Sequence, residues 1–215
     1  MSDTLVTLLF AIITVVLFSK LLKVFGTADE SDRHQQQRTS ENTKARSFFN
    51  INIASAFEAS LPQNVRDVFD EVRKISSNFD PEHFVEGARY AFEMIVKAFA
   101  NGDRETLNKL LSRTIFEAFV QEIEQRESVG DVYEVAIVKL NNSDIIDAEL
   151  HNNVLTITVR FISEQIAVTK SKDGTLISGD SSHVSVIEDV WVFSKHLKTS
   201  TNIWQLVDTK SIQNP

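Results

Sequence analysis

The chain has 215 residues, a net charge of −8 at pH 7 and no cysteine, so we expect one folded domain with shorter appendages. The lack of cysteine excludes disulfides and thiolate metal sites. The acidic balance argues against nucleic acid as a partner, because a nucleic-acid binder needs a basic surface to neutralise phosphates.

The amino-terminal region begins with an apolar run. Residues 4–19 are uncharged and mostly Leu, Val, Ile and Phe, and Lys20 and Lys23 follow them. The run is short for a bilayer core, which takes about 20 residues, but snorkelling lysines extend it. A cleaved signal peptide has its basic residues before the apolar run. We therefore predict that residues 1–28 are a single transmembrane anchor, with both lysines on the cytoplasmic side; a signal peptide and a buried core helix are the alternatives.

The next two segments differ sharply in apolar content. Residues 29–46 contain no large apolar residue and mix both charge signs, so they cannot bury enough surface to offset their ordering entropy. We predict a flexible tether over residues 29–56, with a solvated helix as the alternative. Residues 57–76 then place apolar residues at three- and four-residue intervals, which predicts an amphipathic helix. One interpretation is that its apolar face packs on the domain.

Residues 79–112 carry the clearest local signals. Asp80 and Pro81 have the pattern of an N-cap followed by proline in the first helical turn, and Gly102 is placed to end this helix. Gly87 would weaken a helix interior by about 1 kcal/mol relative to alanine. We therefore expect another backbone to pack closely against the helix at Gly87.

After the last helical segment the apolar period changes from about 3.6 to 2 residues. Turn signals separate the resulting segments at Asn141-Asn142, Asn152-Asn153, Asp173-Gly174 and Gly179-Asp180. Because helices come first and strands follow, the sequence predicts an α+β domain with helices on one face of an antiparallel sheet. The predicted strands cover residues 132–138, 144–150, 154–169, 183–196 and 203–209.

Four stretches together resemble the Tim44-like family, which comprises the adaptor subunit of the mitochondrial inner-membrane import motor and its bacterial relatives. Trp191, Phe193 and Trp204 occupy the positions of the family's aromatic pairs. The resemblance predicts that residues 77–215 form the Tim44-like domain. The stretches are FDPEHFVEGARYAFEMIVKAFANGDRETLNKLLS (79–112), TIFEAFVQEIEQRESVG (114–130), TITVRFISEQIAVTKSKDG (156–174) and EDVWVFSKHLKTSTNIWQLVDT (188–209).

The resemblance has two structural implications. The domain would share the layout of nuclear-transport-factor-two-like folds, in which a curved sheet wraps the helices into a cone with a pocket. The helix over residues 57–76 would lie on the membrane or on a partner. Its candidate contact face consists of Phe57, Leu61, Val65, Val68, Phe69 and Val72.

The candidate pocket residues are Arg160, Asp189, Trp191, Phe193 and Trp204. Strand alternation allows charged residues to meet on a sheet face, where a carboxylate in a pocket can remove protons; these residues are Arg160, Asp189, Glu188, Asp147 and Glu149. The simpler interpretation is a cross-strand ion pair that fixes the register. The aromatic residues form either the core or the wall of a pocket for an acyl chain or a peptide side chain. The five histidines lack metal-ligand spacing, so we predict no catalytic, cofactor-binding or metal-binding residues.

The resemblance implies a membrane-anchored, non-enzymatic adaptor on the cytoplasmic face of a bacterial inner membrane. Its expected partners are inner-membrane lipid and protein translocation or assembly factors, with a chaperone as one candidate and no nucleic acid. One alternative is an enzyme or a small-ligand or lipid-binding carrier that uses the conical pocket. Another is a ribosome receptor, which the charge of −9 over residues 47–215 disfavours.

Overall fold

A computed structural model describes residues 56–199 and 203–212. The predicted anchor and nearly all of the predicted tether lie outside these ranges. Within them, no helix is both long and apolar enough to cross a bilayer. A helical stretch at residues 56–60 comes first. The helices that follow are α1 (Gln63–Ile75), α2 (Pro81–Asn101), α3 (Arg104–Leu110) and α4 (Arg113–Val129), and the strands are β1 (Val132–His151), β2 (Val154–Lys170), β3 (Leu176–Gly179), β4 (Ser185–His196) and β5 (Gln205–Ile212).

The strands form one antiparallel sheet in the order β1-β2-β4-β5, and β3 pairs with the end of β2. The α+β prediction is therefore confirmed. Alternate residues of β2, including Leu155, Ile157, Val159 and Phe161, are fully buried, whereas the residues between them are half-buried. This alternation is expected of a sheet that is covered by helices on one face only.

The predicted ends of α2 are also confirmed. The Asp80 carboxylate accepts hydrogen bonds from the backbone N–H groups of Glu82, at 2.9 Å, and His83, at 3.2 Å. At the other end, Gly102 adopts the left-handed conformation with a φ of 67°. A residue with a Cβ is strained in that conformation. The sequence signals therefore fix both ends of the longest helix that the structure describes.

The prediction of two strands over residues 132–150 is wrong. A single long strand, β1, runs through both of them and pairs with β2 along its whole length, with register shifts at three places. The step at Leu140/Asn142 includes the asparagines that suggested a turn. A β-bulge adds a residue to one strand without reversing the chain. The true hairpin is at Asn152 and Asn153, which both have positive φ, as a two-residue loop requires.

Of the two interpretations of the apolar face of the first helix, packing on the domain is confirmed and contact with a membrane or a partner is wrong. Leu61, Val65, Phe69 and Val72 are at most 7% exposed and belong to the domain core. The part-buried Phe57 and Val68 pack against the same core. This face is therefore unavailable to a membrane or a partner, and the predicted domain boundary at residue 77 falls inside the packed unit. Pro62 is the N-cap residue of α1, so this helix begins close to residue 61, where a proline near its start predicts it to begin.

We expect Phe69→Ala to lower the free energy of unfolding by about 3–5 kcal/mol, because the ring is 1% exposed and its loss leaves a cavity. Lys74→Ala, on the exposed side of α1, is the control and should change stability by no more than about 0.5 kcal/mol. Chemical denaturation of the purified protein measures both. A loss below about 1 kcal/mol for Phe69→Ala would show that α1 is not part of the core.

Candidate functional site

An open groove of about 400 Å³ lies between the first four turns of α2 and the end of β4. We call it the α2 groove. Most of its surface is apolar or aromatic, as in small-molecule and side-chain binding sites. It is lined by His83, Phe84, Gly87, Ala88, Ala91, Met94, Leu110, Phe193, Lys195, Ile203 and Trp204.

Aromatic contacts join the wall residues of the groove to one another. The ring centroid of Phe84 lies 4.6 Å from that of Trp204 and 6.0 Å from that of Phe193. Phe84 and Phe193 are both almost fully buried. Tilted and edge-on aromatic pairs of this kind are stabilising beyond the area that they bury. The floor of the groove is therefore part of the core, and only its upper surface is open to solvent.

Gly87 does not make the predicted helix contact. A Cβ placed at this position would have no atom within 4 Å outside its own helix surroundings, and Gly87 is exposed along the groove. Small residues on a helix face indicate that something can approach closely, but not what approaches. Here the missing side chain opens the groove to solvent, since the neighbouring wall residues Ala88 and Ala91 are also small.

One cation lies at the edge of the groove. The Lys195 Nζ lies 5.6 Å from the centroid of the Trp204 ring, which is a cation–π distance. Partial burial lowers the pKa of Lys195. Within the described parts of the chain, Lys195 has no carboxylate within ion-pair distance. The groove therefore offers a positive group beside an apolar surface in a protein that is acidic overall.

The five candidate pocket residues do not share one site. Phe193 and Trp204 line the α2 groove as predicted. Trp191 is 2% exposed and packs in the core, with its ring 4.7 Å from that of Phe92 and 5.8 Å from that of Phe161. For Trp191 the alternative of a simple core residue is the correct one.

Arg160 and Asp189 lie on opposite faces of the sheet. The register partner of Asp189 is Phe161, not Arg160, and neighbouring residues of a strand point to opposite faces. Arg160 instead donates to the carboxylate of Asp144, directly opposite it on β1, at 3.2 Å. A cross-strand pair does exist, but with a different carboxylate, so the expected pairing of Arg160 with Asp189 is wrong.

Asp189 is a buried carboxylate outside the groove. It is 5% exposed and accepts a hydrogen bond from the Ser211 hydroxyl on β5. Burial raises its pKa to about 6, and the Ser211 hydrogen bond partly opposes this rise. Trp191 stands between Asp189 and Phe193 on the same strand face, and four residues of strand span about 13 Å. The carboxylate with the raised pKa is therefore separated from the groove by a core side chain.

Sequence reasoning missed most of the groove wall. On β4, the alternation that places Asp189, Trp191 and Phe193 on one face continues to Lys195. The two-residue period of the strand could therefore have predicted Lys195 in the groove wall. No comparable signal marks Ile203, because it precedes β5 in an irregular segment. In the described ranges, no three His, Asp or Glu side chains come together as a possible metal site.

Comparison with known proteins relates the chain to one family. The profile of the Tim44-like domain matches residues 65–211, beginning inside α1. An uncharacterized protein of Rickettsia prowazekii is 22% identical over 95% of this chain and 96% of its own length. The tin-44 protein of Caenorhabditis elegans, named as a mitochondrial import inner membrane translocase subunit, is 20% identical over 76% of this chain. That alignment covers 39% of the worm protein.

Two solved structures are among those that are similar to this chain. The intermembrane space region of the chloroplast protein ARC6 has a TM-score of 0.44 and 12% identity, over 60% of this chain and 97% of that one. A Streptomyces avermitilis protein of the NTF2-like family has a TM-score of 0.35 and 12% identity, over 62% of this chain and 99% of that one.

Asp189→Asn should make the protein less sensitive to pH. Between pH 3.8 and about 6, folded Asp189 keeps a proton that the unfolded chain releases, so its contribution to stability is present at low pH and lost as pH rises. The stability of the variant relative to the wild type should therefore rise by about 2 kcal/mol from pH 4 to pH 7, measured by urea denaturation. Ser211→Ala should move this change to higher pH. A difference between variant and wild type that does not vary with pH would contradict the assignment.

Proposed function

Because the chain belongs to the Tim44-like domain family, we propose that it is a membrane-anchored, non-enzymatic adaptor for protein translocation or membrane-protein assembly. It would act on the cytoplasmic face of a bacterial inner membrane. Its partners would be inner-membrane lipid and translocation or assembly proteins, with a chaperone as one candidate. The named function of the worm relative supports the link to protein transport.

The observation that carries the adaptor role is the α2 groove, with exposed apolar side chains at its rim. Met94 is 44% exposed and Ile203 is 58% exposed, and Tyr90, one turn from Met94 on the same helix, is 72% exposed. Exposed apolar clusters beside a cleft are typical of protein interaction sites. The flexible methionine side chain suits partner segments of varied shape. The α2 groove is therefore the surface on which we place the partner.

The position of Asp189 supports a non-enzymatic role. An acid or base must come within hydrogen-bond reach of the proton it transfers. Asp189 has the raised pKa that such chemistry uses, but it lies behind Trp191 and accepts a hydrogen bond from Ser211. The side chains in the groove wall are mainly those that bind by apolar contact.

The proposed anchor consists of residues 1–28, with Lys20 and Lys23 at its cytoplasmic flank and residues 29–56 as the tether. The order of the apolar run and the two lysines in the sequence supports this topology. Tethering an adaptor to the membrane raises its effective concentration near membrane-bound partners, so a weak groove interaction becomes sufficient.

One observation favours a second candidate function, a lipid-binding or small-ligand carrier. Lys195 places a cation at the edge of an apolar groove, which suits an amphiphile with an anionic head group. An apolar tail would lie along Phe84 and Trp204, and the head would lie near Lys195. A carrier releases its ligand, whereas an adaptor keeps its partner at the membrane, so the two functions can be separated by identifying the occupant.

We expect a photocrosslinking amino acid at Ile203, in the full-length protein in its native host, to capture translocation or assembly proteins. Gly87→Leu should reduce the crosslink by about tenfold or more, because the new side chain fills the groove and tenfold corresponds to only about 1.4 kcal/mol. Gly87→Ala is the matched control. It should keep the crosslink and melt at the same or a higher temperature, since a Cβ meets open space there.

The outcomes distinguish the proposals. A folded Gly87→Leu protein with an undiminished crosslink would contradict the groove as the partner site. A crosslink to lipid in place of protein would favour the carrier. In complementation of a deletion strain, a chain without residues 1–28 should fold but fail to restore function. Full rescue by that chain would contradict the membrane-anchored adaptor.

A further inference from the structure

A second cavity, of about 360 Å³, lies beyond the far end of α2, against the last turns of α4. We call it the α4 cavity. It shares no lining residue with the α2 groove, and its volume is within the range of small-ligand sites, about 300–1,000 Å³. Its lining includes Phe99, Glu122, Arg126, Val129, Asp131 and Ile177.

Arg126 is held in a fixed position in this cavity. Its Nη2 donates to the backbone carbonyl oxygens of Phe99, at 2.9 Å, and Ala100, at 3.2 Å. These carbonyls belong to the last turn of α2, where the helix dipole favours a cation. The guanidinium carbon also lies 5.1 Å from the centroid of the Phe99 ring and 5.5 Å from that of Tyr133. The guanidinium is therefore positioned before any ligand arrives.

The remaining donors of Arg126 are available. A guanidinium has five N–H donors, and within the described residues only Nη2 of Arg126 makes hydrogen bonds. The adjacent carboxylate, Glu127, is engaged by both terminal nitrogens of Arg104, at 2.8 and 3.3 Å. Arg126, like Arg66 and Arg89, forms no ion pair among the described residues. A ligand carboxylate can therefore bind the free donors of Arg126.

Two carboxylates line the same cavity. In the part of the chain that the structure describes, the side chains of Glu122 and Asp131 form no hydrogen bond or ion pair. One guanidinium with two carboxylates gives the cavity a negative balance, which repels a phosphate dianion. A simple cation would be repelled by the positive charge of Arg126. A ligand that carries one anionic and one cationic group complements both charges.

The remaining wall residues favour a ligand with an apolar body. Phe99 and Tyr133 are core aromatics, and Val129 and Ile177 are 59% and 53% exposed at the rim. Thr169 is 9% exposed, and its hydroxyl has no hydrogen-bond partner among the described residues. A ligand seated on this wall would cover the exposed apolar side chains.

We propose that the α4 cavity binds a free α-amino acid with an apolar or aromatic side chain. The carboxylate lies on Arg126, the ammonium faces Glu122 and Asp131, and the side chain packs against Val129 and Ile177. This assignment does not depend on the adaptor function, because it concerns a different surface.

Titration calorimetry of the full-length protein with L-phenylalanine tests the proposal. We expect saturable 1:1 binding, about tenfold or more tighter than that of 3-phenylpropanoate, which lacks the ammonium, and of phenethylamine, which lacks the carboxylate. The absence of binding at about 10 mM L-phenylalanine would overturn the proposal. Equal binding of 3-phenylpropanoate would also overturn it, because a site for simple anions would then be present.

Two variants locate the site. Arg126→Gln should weaken binding by about tenfold or more through loss of a charge-assisted hydrogen bond. Because this change also removes hydrogen bonds to α2, Val129→Trp provides a second test: it fills the cavity from the exposed rim and should abolish binding in a folded protein. Lys195→Gln in the α2 groove is the control and should leave binding unchanged. Binding that persists in Val129→Trp, or that is lost in Lys195→Gln, would place the site elsewhere and contradict the proposal.

Discussion

The packing of three α2 phenylalanines on the sheet is the interaction on which the rest of the structure depends. These residues recur every seven or eight positions, about two helical turns, so their rings form a ridge along one face. The rings in contact are Phe84 with Phe193, Phe92 with Trp191, and Phe99 with Tyr133. Because the ridge fixes the distance between α2 and the sheet, it also creates the space at its two ends. Phe84 belongs to the α2 groove, and Phe99 belongs to the α4 cavity.

The same ridge separates the α2 groove from the buried carboxylate of Asp189. Its middle contact, Phe92 with Trp191, fills the interior of the domain, and Asp189 lies on the far side of Trp191 from the groove. A carboxylate with a raised pKa is often a sign of a functional site. Here its cause is burial against the sheet, opposed by one hydroxyl hydrogen bond. The groove instead offers shape, apolar area and one cation, which are the properties of a surface that holds another molecule without changing it.

The sequence predicted the fold class, the caps of α2, the hairpin at Asn152 and Asn153, and two of the five candidate pocket residues. These features depend on local signals: capping residues, period-two alternation and turn chemistry. The errors came from questions that local signals do not answer. Amphipathicity shows that the α1 face is buried, but not whether the domain or a membrane buries it. In the same way, a glycine in a helix such as Gly87 shows that another group can approach closely, but it does not show whether a backbone or open space lies there. Arg160 and Asp189 were paired wrongly because strand register decides which residues share a face, and register is a tertiary property.

The most direct test of the central claim uses the two methionines of the chain, Met1 and Met94. Protein labelled with ¹³C only in its methionine methyl groups gives a reporter in the groove wall, since Met94 lines the α2 groove. When solubilised membrane extract from the native host is added, the Met94 methyl signal should shift or broaden, and Gly87→Leu should remove the effect. An unchanged Met94 signal in an extract from which the full-length protein still captures its partner would contradict the claim that the α2 groove is the binding surface.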